Sequence, residues 1–200
     1  MVKSDGFKSD GLSESEIITE IASHYKAILQ LIGEDVSRQG LVKTPERAAK
    51  ALWYVTRGYR QNITDVVNGA LFENSGSGRI VVVRDIEFYS LCEHHILPFF
   101  GHMDIGYIPG ENIIGLSKVA RIVDMFSRRL QVQEHLTEEV ADALMDCIGA
   151  QGVIVRTRAH HLCMEMRGVG KQDSTTITLA TRGVFATDRS LREEFFSLVR

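Results

Sequence analysis

Two β-strands are predicted within residues 80–110, IVVVRDIEFYSLCEHHILPFFGHMDIGYIPG. The first, 80–88, is rich in β-branched residues, and the second, 102–108, ends at a Pro-Gly turn. The sequence Cys-Glu-His-His at 92–95 lies between them. This stretch therefore predicts two strands joined by a segment that is rich in metal-binding side chains.

Helical patterns precede these strands. Apolar residues recur at helical spacing over 17–32. Thr44 is predicted to cap a second helix, with Pro45 in its first turn and an end near Gly58. The residues at 62–78 are rich in Asn and Gly, and they predict a loop.

Helices and strands alternate after residue 110. The predicted elements are a helix from Ser117, a helix from Leu136-Thr137, strands at 153–158, 162–167 and 175–181, and a terminal helix at 188–200 capped by Thr187 or Asp188. Strands joined in this way predict an α+β fold with antiparallel pairs. The predicted organisation is a disordered arm at 1–13, a helical region at 14–60 and a catalytic domain at 61–200.

The composition is that of an ordinary globular protein, since 44% of the 200 residues are hydrophobic and 24% are charged. The net charge of −3 argues against a general nucleic-acid binder, which carries a basic surface. No stretch approaches the roughly 20 apolar residues of a membrane helix, and the polar N-terminus does not resemble a secretory signal. We therefore expect no nucleic acid and no membrane as partners, and a cytoplasmic location by default.

Three cysteines argue against a disulfide framework and favour reduced thiols that bind a metal or fill a core. The spacing Cys92-x-x-His95 lets a thiolate and an imidazole reach one ion from a single turn. Such donors favour zinc over magnesium or calcium. Two ligands are too few, so a third must come from another segment.

Cys163 is the candidate for the third ligand. Cys147 lies on the apolar face of a predicted helix, where a free thiol behaves as a small core residue. The predicted strand at 162–167 has alternating faces. Its polar face would carry His161, Cys163, Glu165 and Arg167. A thiol on the polar face is not explained by core packing, so its position there indicates a functional site.

Three protein ligands leave zinc an open position, which is typical of catalytic sites, whereas structural sites are usually closed by four. Zinc lowers the pKa of bound water towards about 7, and His94 and His161 would be spare imidazoles for proton transfer. The residues alone leave a second interpretation open. In a structural site, His94, His102 or His161 would supply the fourth ligand.

A basic segment predicts a phosphate site. Ser117 is predicted to cap a helix that has Lys118 and Arg121 in its first turn. Helix N-termini attract anions, and an anionic ligand would explain two cations there. Arg167 is a further candidate, because its guanidinium matches phosphate. The alternative is a solvated basic face, which is the interpretation given to Arg128-Arg129.

The pair Gln133-Glu134 suits a guanine edge. An ionised Glu only accepts hydrogen bonds, and a guanine edge offers a pair of donors. An exposed linker between two helices explains the same two residues equally well.

These motifs, in this order, resemble those of the zinc-dependent GTP cyclohydrolase I family. The matching stretches are 44–47, 90–95, 98–99, Gly101, 115–121, 129–134, 136–137 and 161–169. Several motifs in the family's order are more specific than any one of them.

The resemblance implies a reaction and an assembly. Members of this family convert GTP and water into 7,8-dihydroneopterin triphosphate and formate, the first step of pterin and tetrahydrofolate synthesis in one-carbon metabolism. Zinc-activated water attacks C8 of guanine. The implied structure is the tunnelling fold, an antiparallel sheet with two helices on one face, assembled into a barrel. Such members form homodecamers of two pentamers, with sites at subunit interfaces.

The resemblance also assigns roles to the matching positions. The zinc (Zn2+) ligands would be Cys92, His95 and Cys163, and the proton-transfer residues would be His94 and His161. Guanine would be held by Gln133 and Glu134, and the sugar region by Ser117. The triphosphate would be bound by Lys118, Arg121 and Arg167, with Arg47 from a neighbouring subunit.

Two competing hypotheses belong to other classes. Nitrile reductases of the tunnelling fold use a catalytic cysteine without zinc, so the presence of all three zinc ligands disfavours such a relative. A non-enzymatic, zinc-stabilised oligomer would leave His94, His161 and the basic pair Lys118 and Arg121 without a purpose.

Overall fold

The computed structural model describes residues 11–76 and 78–200, so residues 1–10 of the predicted disordered arm lie outside the described part. The described helices are α1 (Glu14–Leu31), α2 (Thr44–Val55), α3 (Ile63–Val67), α4 (Leu116–Ser127), α5 (Gln133–Ile148), α6 (Leu162–Glu165), α7 (Val184–Thr187) and α8 (Arg189–Leu198), with a 3-10 turn at Arg57–Arg60. The described strands are β1 (Leu71–Glu73), β2 (Val81–Cys92), β3 (Pro98–Ile108), β4 (Asn112–Ile114), β5 (Leu130–Gln131), β6 (Gly152–His161) and β7 (Thr176–Gly183). No helix in these ranges is long and apolar enough to cross a membrane.

The main sheet has the strand order β5-β2-β3-β6-β7. β2, β3, β6 and β7 pair in antiparallel fashion, whereas the two-residue β5 runs parallel to β2. α4 packs against β2, and α5 packs against β6 and β7. An antiparallel sheet with two helices on one face is the α+β arrangement predicted for the tunnelling fold, so the predicted fold of the single chain is confirmed, and its assembly into a barrel stays a prediction.

The main core lies between the sheet and these two helices. α4 buries Val119, Ile122, Val123 and Phe126, which are spaced as one face of a helix. Burying each such side chain contributes about 1.5–3 kcal/mol, so this face holds α4 against the sheet. The helix predicted from Ser117 is therefore confirmed, with a start at Leu116.

A smaller core covers the opposite face of the sheet. Val153 and Val155 of β6 belong to the main core, but Ile154 packs with Phe185 of α7 and Phe195 of α8. Side chains alternate along a strand, so these neighbours point to opposite faces. The sheet is therefore covered on both sides where β6 crosses it.

The N-terminal helices lie largely outside these cores. Ser13 and Glu16 form a capping box that starts α1, and α1 packs along α2 without burying any of its residues. α2 begins at Thr44 with Lys43 as its N-cap, so the prediction that Thr44 caps this helix is wrong, although Pro45 lies in the first turn as expected. The division into a helical region at 14–60 and a domain at 61–200 stays a prediction.

Two segments differ from the sequence-based predictions. The predicted loop at 62–78 contains α3, which Asn62 caps, and β1, which pairs with β4. Both elements are too short to show a periodic pattern. The predicted strand at 162–167 is wrong, because β6 ends at His161 and the chain then forms the single helical turn α6.

A buried ion pair fastens the C-terminus to the sheet. Asp104 on β3 is 1% exposed and accepts two hydrogen bonds from Arg156 on β6, at 2.9 and 2.7 Å. It also accepts the N–H of Asp85 at 3.0 Å, where a bulge interrupts the register of β2. Arg156 donates to the carbonyl of Val199 at 2.5 Å, just after α8. One carboxylate therefore links two strands, a bulge and the terminal helix.

Replacing Asp104 with Ala is expected to lower the free energy of unfolding by about 3–5 kcal/mol, because a charged Arg156 would lose its buried partner. Urea unfolding followed by circular dichroism at one protein concentration measures the change. Glu46→Ala is the control, since it removes only the exposed ion pair with Lys50 and is expected to leave the midpoint unchanged. Equal midpoints for the two variants would contradict the role given to Asp104.

Candidate metal centre

A tight turn after β2 presents the first two ligands. Cys92 is buried at the end of β2, and its N–H donates to the carbonyl of Leu97 at 2.8 Å. Its carbonyl accepts the N–H groups of His95 and Ile96, at 3.3 and 2.8 Å. Ile96 has a φ of 53°, a left-handed conformation that is costly for a β-branched residue. The turn brings Nδ1 of His95 to 3.6 Å from Sγ of Cys92.

Cys163 joins the same cluster from α6. The ligand atoms of Cys92, His95 and Cys163 all lie within 4.8 Å of one another. Since α6 is a helical turn, the alternating-face argument for Cys163 does not describe its local structure. The thiol reaches the cluster because α6 turns the chain at the end of β6.

The donor set of this cluster fits zinc, which prefers thiolate and imidazole ligands. The pKa of the Cys163 thiol is raised, mainly by burial and then by the nearby thiol of Cys92. A divalent cation between the two sulfurs would offset both effects, because it favours the thiolate forms. Among the described residues the cluster consists of Cys92, His95 and Cys163, and His94, His102 and His161 are not part of it.

His161 is held beside the cluster by two contacts. It pairs with Phe99 across β3 and β6, and the two rings stack with centroids 4.7 Å apart and planes 2° from parallel. Its Nε2 lies 2.7 Å from Oε1 of Gln133. Burial lowers the pKa of His161, and Glu134 and Glu165 oppose this effect. These contacts hold the imidazole in one position, and in the sequence it precedes the ligand Cys163 by two residues.

The close approach of β3 and β6 near this histidine requires a glycine. A Cβ atom on Gly101 would lie 1.9 Å from the carbonyl oxygen of Arg158. Any larger residue at this position would push the strands apart. Gly101 thereby maintains the register that stacks Phe99 on His161.

Three other predicted site residues surround the cluster in the same chain. His94 is exposed, and its Nδ1 lies 4.0 Å from Sγ of Cys92. Glu134 is exposed in the first turn of α5, and its charge partly opposes the lowering of the His161 pKa by burial. Arg167 is exposed, and its charge partly opposes the raising of the Cys163 pKa by burial. Because α5 begins at Gln133, the interpretation of 133–134 as an interhelical linker is wrong.

The basic pair lies at the N-terminus of α4. Gly115 is the N-cap and no side chain caps the helix, so the prediction that Ser117 does so is wrong. Lys118 donates to the carbonyl of Val66 at 3.1 Å. Within residues 11–76 and 78–200, neither Lys118 nor Arg121 forms an ion pair with a carboxylate. Their charges add to the positive end of the helix dipole, an arrangement that favours an anion.

Lys118 and the metal cluster lie at opposite ends of α4. The helix ends at Ser127, and the following strand β5 pairs with Leu91 and Cys92. At 1.5 Å per residue, about 14 Å of helix separates Lys118 from the end next to the cluster. The structure therefore does not bring the basic pair to the cluster of the same chain. Arg47 is exposed on α2.

The model of the GTP cyclohydrolase I family matches residues 21–200 of the chain. The chain belongs to the GTP cyclohydrolase I family. It is 55% identical over 174 residues to GTP cyclohydrolase 1 of Campylobacter jejuni, covering 87% of this chain and 91% of that protein. It is 52% identical over 180 residues to GTP cyclohydrolase 1 2 of Pseudomonas aeruginosa, covering 90% and 99%.

Membership of this family confirms the resemblance and the prediction of a hydrolase. The match begins within α1 and continues to the last residue, so it includes the N-terminal helices as well as the sheet. The family is one of enzymes, which disfavours a non-enzymatic oligomer. It also disfavours the zinc-free nitrile reductase, in agreement with the Cys92–His95–Cys163 cluster.

Several residues near the cluster escape prediction from the sequence. The buried Thr137 and Thr157 and the half-buried Thr178 form a hydroxyl network behind Gln133. Polar residues within apolar helix and strand patterns are a weak signal for such a network. His160 and Glu165 lie 3.1 Å apart across α6, a contact that becomes visible only once α6 is known to be helical.

Cys163→Ser is expected to remove nearly all bound zinc, because a cluster of three ligands loses one of its two thiolates. Metal content per chain, measured by atomic absorption after gel filtration, tests this. Cys147→Ser is the matched control, since Cys147 is half-buried against the core and lies outside the cluster. Full zinc occupancy in Cys163→Ser would show that the ligand assignment is wrong.

Proposed function

We propose that the chain converts GTP and water into 7,8-dihydroneopterin triphosphate and formate at the Cys92–His95–Cys163 cluster. The observation that carries this proposal is the convergence of three zinc-type ligands from two separate segments, in a chain of this family. Three protein ligands would leave a fourth position on the ion open, as in catalytic zinc sites.

Cys92, His95 and Cys163 would hold the zinc ion. When bound, zinc would supply a Lewis acid and an activated water for attack at C8 of guanine. The tight turn at Ile96 and the single turn of α6 would bring the ligands together, which would reduce the entropy lost when the metal binds.

His94 and His161 would move protons during ring opening and rearrangement of the sugar. Both lie beside the cluster without belonging to it, and they differ in environment. His94 is exposed, whereas His161 is half-buried, stacked on Phe99 and bonded to Gln133. An exposed imidazole can exchange protons with water, and a buried one keeps its position during the reaction.

Glu134 would bind the guanine edge through its ionised carboxylate, which only accepts hydrogen bonds. It projects from the first turn of α5, next to His161. Ser117, exposed in the first turn of α4, would contact the sugar region.

Lys118, Arg121 and Arg167 would bind the triphosphate, with Arg47 from a neighbouring copy. In the described part of the chain none of these four cations forms an ion pair with a carboxylate. Arg167 lies near the cluster of its own chain, but Lys118 is at the far end of α4. One triphosphate can contact both only if a second copy supplies the basic pair, so the complete site would lie between chains.

The surface of the single chain supports a homo-oligomer, which we propose to be a decamer of two pentamers. The outer strand β7 exposes Ile177 and Leu179, and among the described residues the outer edge of β2 pairs with the two-residue β5 alone. Unpaired strand edges of this kind are usually protected, and a ring of identical copies would pair each β7 with a neighbour. Leu31 and Ile32, at the end of α1, are also strongly exposed.

The purified, zinc-loaded protein is expected to release formate from GTP and to give a neopterin that fluoresces after oxidation. His94→Ala is expected to keep its zinc but to lose at least about a hundredfold in turnover, the usual contribution of a proton-transfer residue. His24→Ala, on the exposed face of α1, is the control and should retain full turnover. A zinc-loaded, assembled wild-type protein without product would overturn the proposed function.

Co-assembled mixtures test whether the site is shared between copies. Lys118→Ala and His94→Ala homo-oligomers are each expected to be inactive. Unfolding and refolding them together at equal amounts should restore about a quarter of the wild-type turnover, because random assembly leaves about that fraction of two-chain sites intact. Refolding each variant alone is the control. No recovery in a mixed oligomer would place both residues in one chain's site.

A further inference from the structure

The side chain of Gln133 is fully engaged within its own chain. It is 1% exposed, and its Nε2 lies 3.3 Å from the carbonyl of Thr157, 3.1 Å from the carbonyl of Thr176 and 3.1 Å from the hydroxyl of Thr178. A carboxamide has two N–H donors, and three acceptors surround them here. Neither donor is left for a ligand.

The orientation of this amide is fixed by its neighbours. Turning it over would place Oε1 against the carbonyl oxygens of Thr157 and Thr176, which would repel it. Oε1 therefore faces Nε2 of His161 at 2.7 Å. A carboxamide oxygen can only accept a hydrogen bond, so Nε2 of His161 must carry a hydrogen.

The surrounding groups prevent both partners from moving away. Thr137 donates to the carbonyl of Gln133 at 2.7 Å, and its hydroxyl lies 2.7 Å from that of Thr178. On the other side, the parallel stack with Phe99 fixes the plane of the His161 ring. These hydrogen bonds are buried or partly buried, and a hydrogen-bonded network in such surroundings is stiff.

We infer that Gln133 is a positioning residue that holds His161 as its Nε2–H tautomer. Nδ1 is then the atom through which His161 accepts and returns protons. The inference rests on the proposed function for the role of His161. It replaces the guanine contact that the family resemblance assigns to Gln133, and it leaves the exposed Glu134 as the side chain that recognises the base.

Gln133→Leu separates the two roles, because Leu has a similar volume and no polar atoms. If Gln133 positions His161, kcat should fall by about a hundredfold while KM for GTP changes by less than about twofold. The preference for GTP over inosine triphosphate, which lacks the 2-amino group, should stay unchanged. Glu134→Gln is the matched comparison, and its KM should rise. A raised KM in Gln133→Leu with kcat unchanged would overturn the inference.

A second experiment compares the variants by GTP binding alone, without turnover. The His161→Ala variant, which the proposed function expects to be inactive, allows GTP binding to be measured by equilibrium dialysis. Adding Gln133→Leu to it should change Kd by less than about twofold, since the residue that Gln133 positions is already gone. Adding Glu134→Gln should weaken binding by about tenfold. A tenfold loss caused by Gln133→Leu would show a direct base contact and would contradict the inference.

The wild-type protein supplies a test that needs no altered Gln133. Solid-state 15N NMR of the histidine-labelled, zinc-loaded protein at about pH 8, above the ordinary histidine pKa, reports which ring nitrogen carries hydrogen. The His161 signal is identified by its loss in His161→Ala. Protonated Nε2 with bare Nδ1 supports the inference, and the reverse tautomer overturns it. Because no GTP is present, a failed turnover assay would contradict only the proposed function.

Discussion

Antiparallel pairing of β3 with β6 sets Phe99 opposite His161, and the arrangement of the candidate site depends on this register. Pro98 pairs with Leu91 on the other side of β3, so the end of β2 and its Cys92 lie at the same end of the sheet. Gly101 permits the close approach of the two strands, since a Cβ there would meet the carbonyl of Arg158. A shift of one residue would move each side chain to the other face and separate the ligands.

Gln133 and Glu134 are neighbours in the sequence but differ in solvent exposure, and this difference suits them to different roles. Gln133 is buried and bonded on all sides, whereas Glu134, one residue later on α5, is exposed. Residues one apart on a helix point about a quarter-turn away from each other, so Gln133 faces the sheet and Glu134 is exposed near His161. A buried amide fixes an imidazole through a short hydrogen bond, and an exposed carboxylate remains available for a ligand.

The sequence correctly predicts the long helices and strands and the residues of the cluster. It predicts less well the short segments that hold the cluster residues in place. Strands 80–88 and 102–108 show β-branched composition and a clear turn, and α4 shows a regular apolar face, so all three appear in the structure. The segment 162–167 alternates apolar and polar residues but forms α6, because the pairing of β6 with β3 ends at His161 and tertiary contacts outweigh the local pattern.

The hydrogen-bond partner of an amide depends on contacts between residues far apart in sequence. Gln133 meets Thr157, Thr176 and His161 only after β6 and β7 have paired beside α5, and no pattern within 131–134 contains that information. The same holds for the distance between Lys118 and Cys92. The family resemblance assigns both residues to one site, whereas the length of α4 separates them within a single chain.

If the proposed function is correct, the distance between Lys118 and the cluster makes catalysis depend on assembly of several copies. If the basic end of α4 serves the cluster of another copy, a single chain holds two half-sites and no complete one. GTP would then bind only to the assembled form, and by mass action it would stabilise that form by RT ln(1 + [GTP]/Kd) for each site. The same association would bury the apolar residues that α1 and β7 expose in the single chain. Surfaces that are costly in a monomer would then become the contacts that bring the proposed triphosphate-binding residues to the proposed metal site.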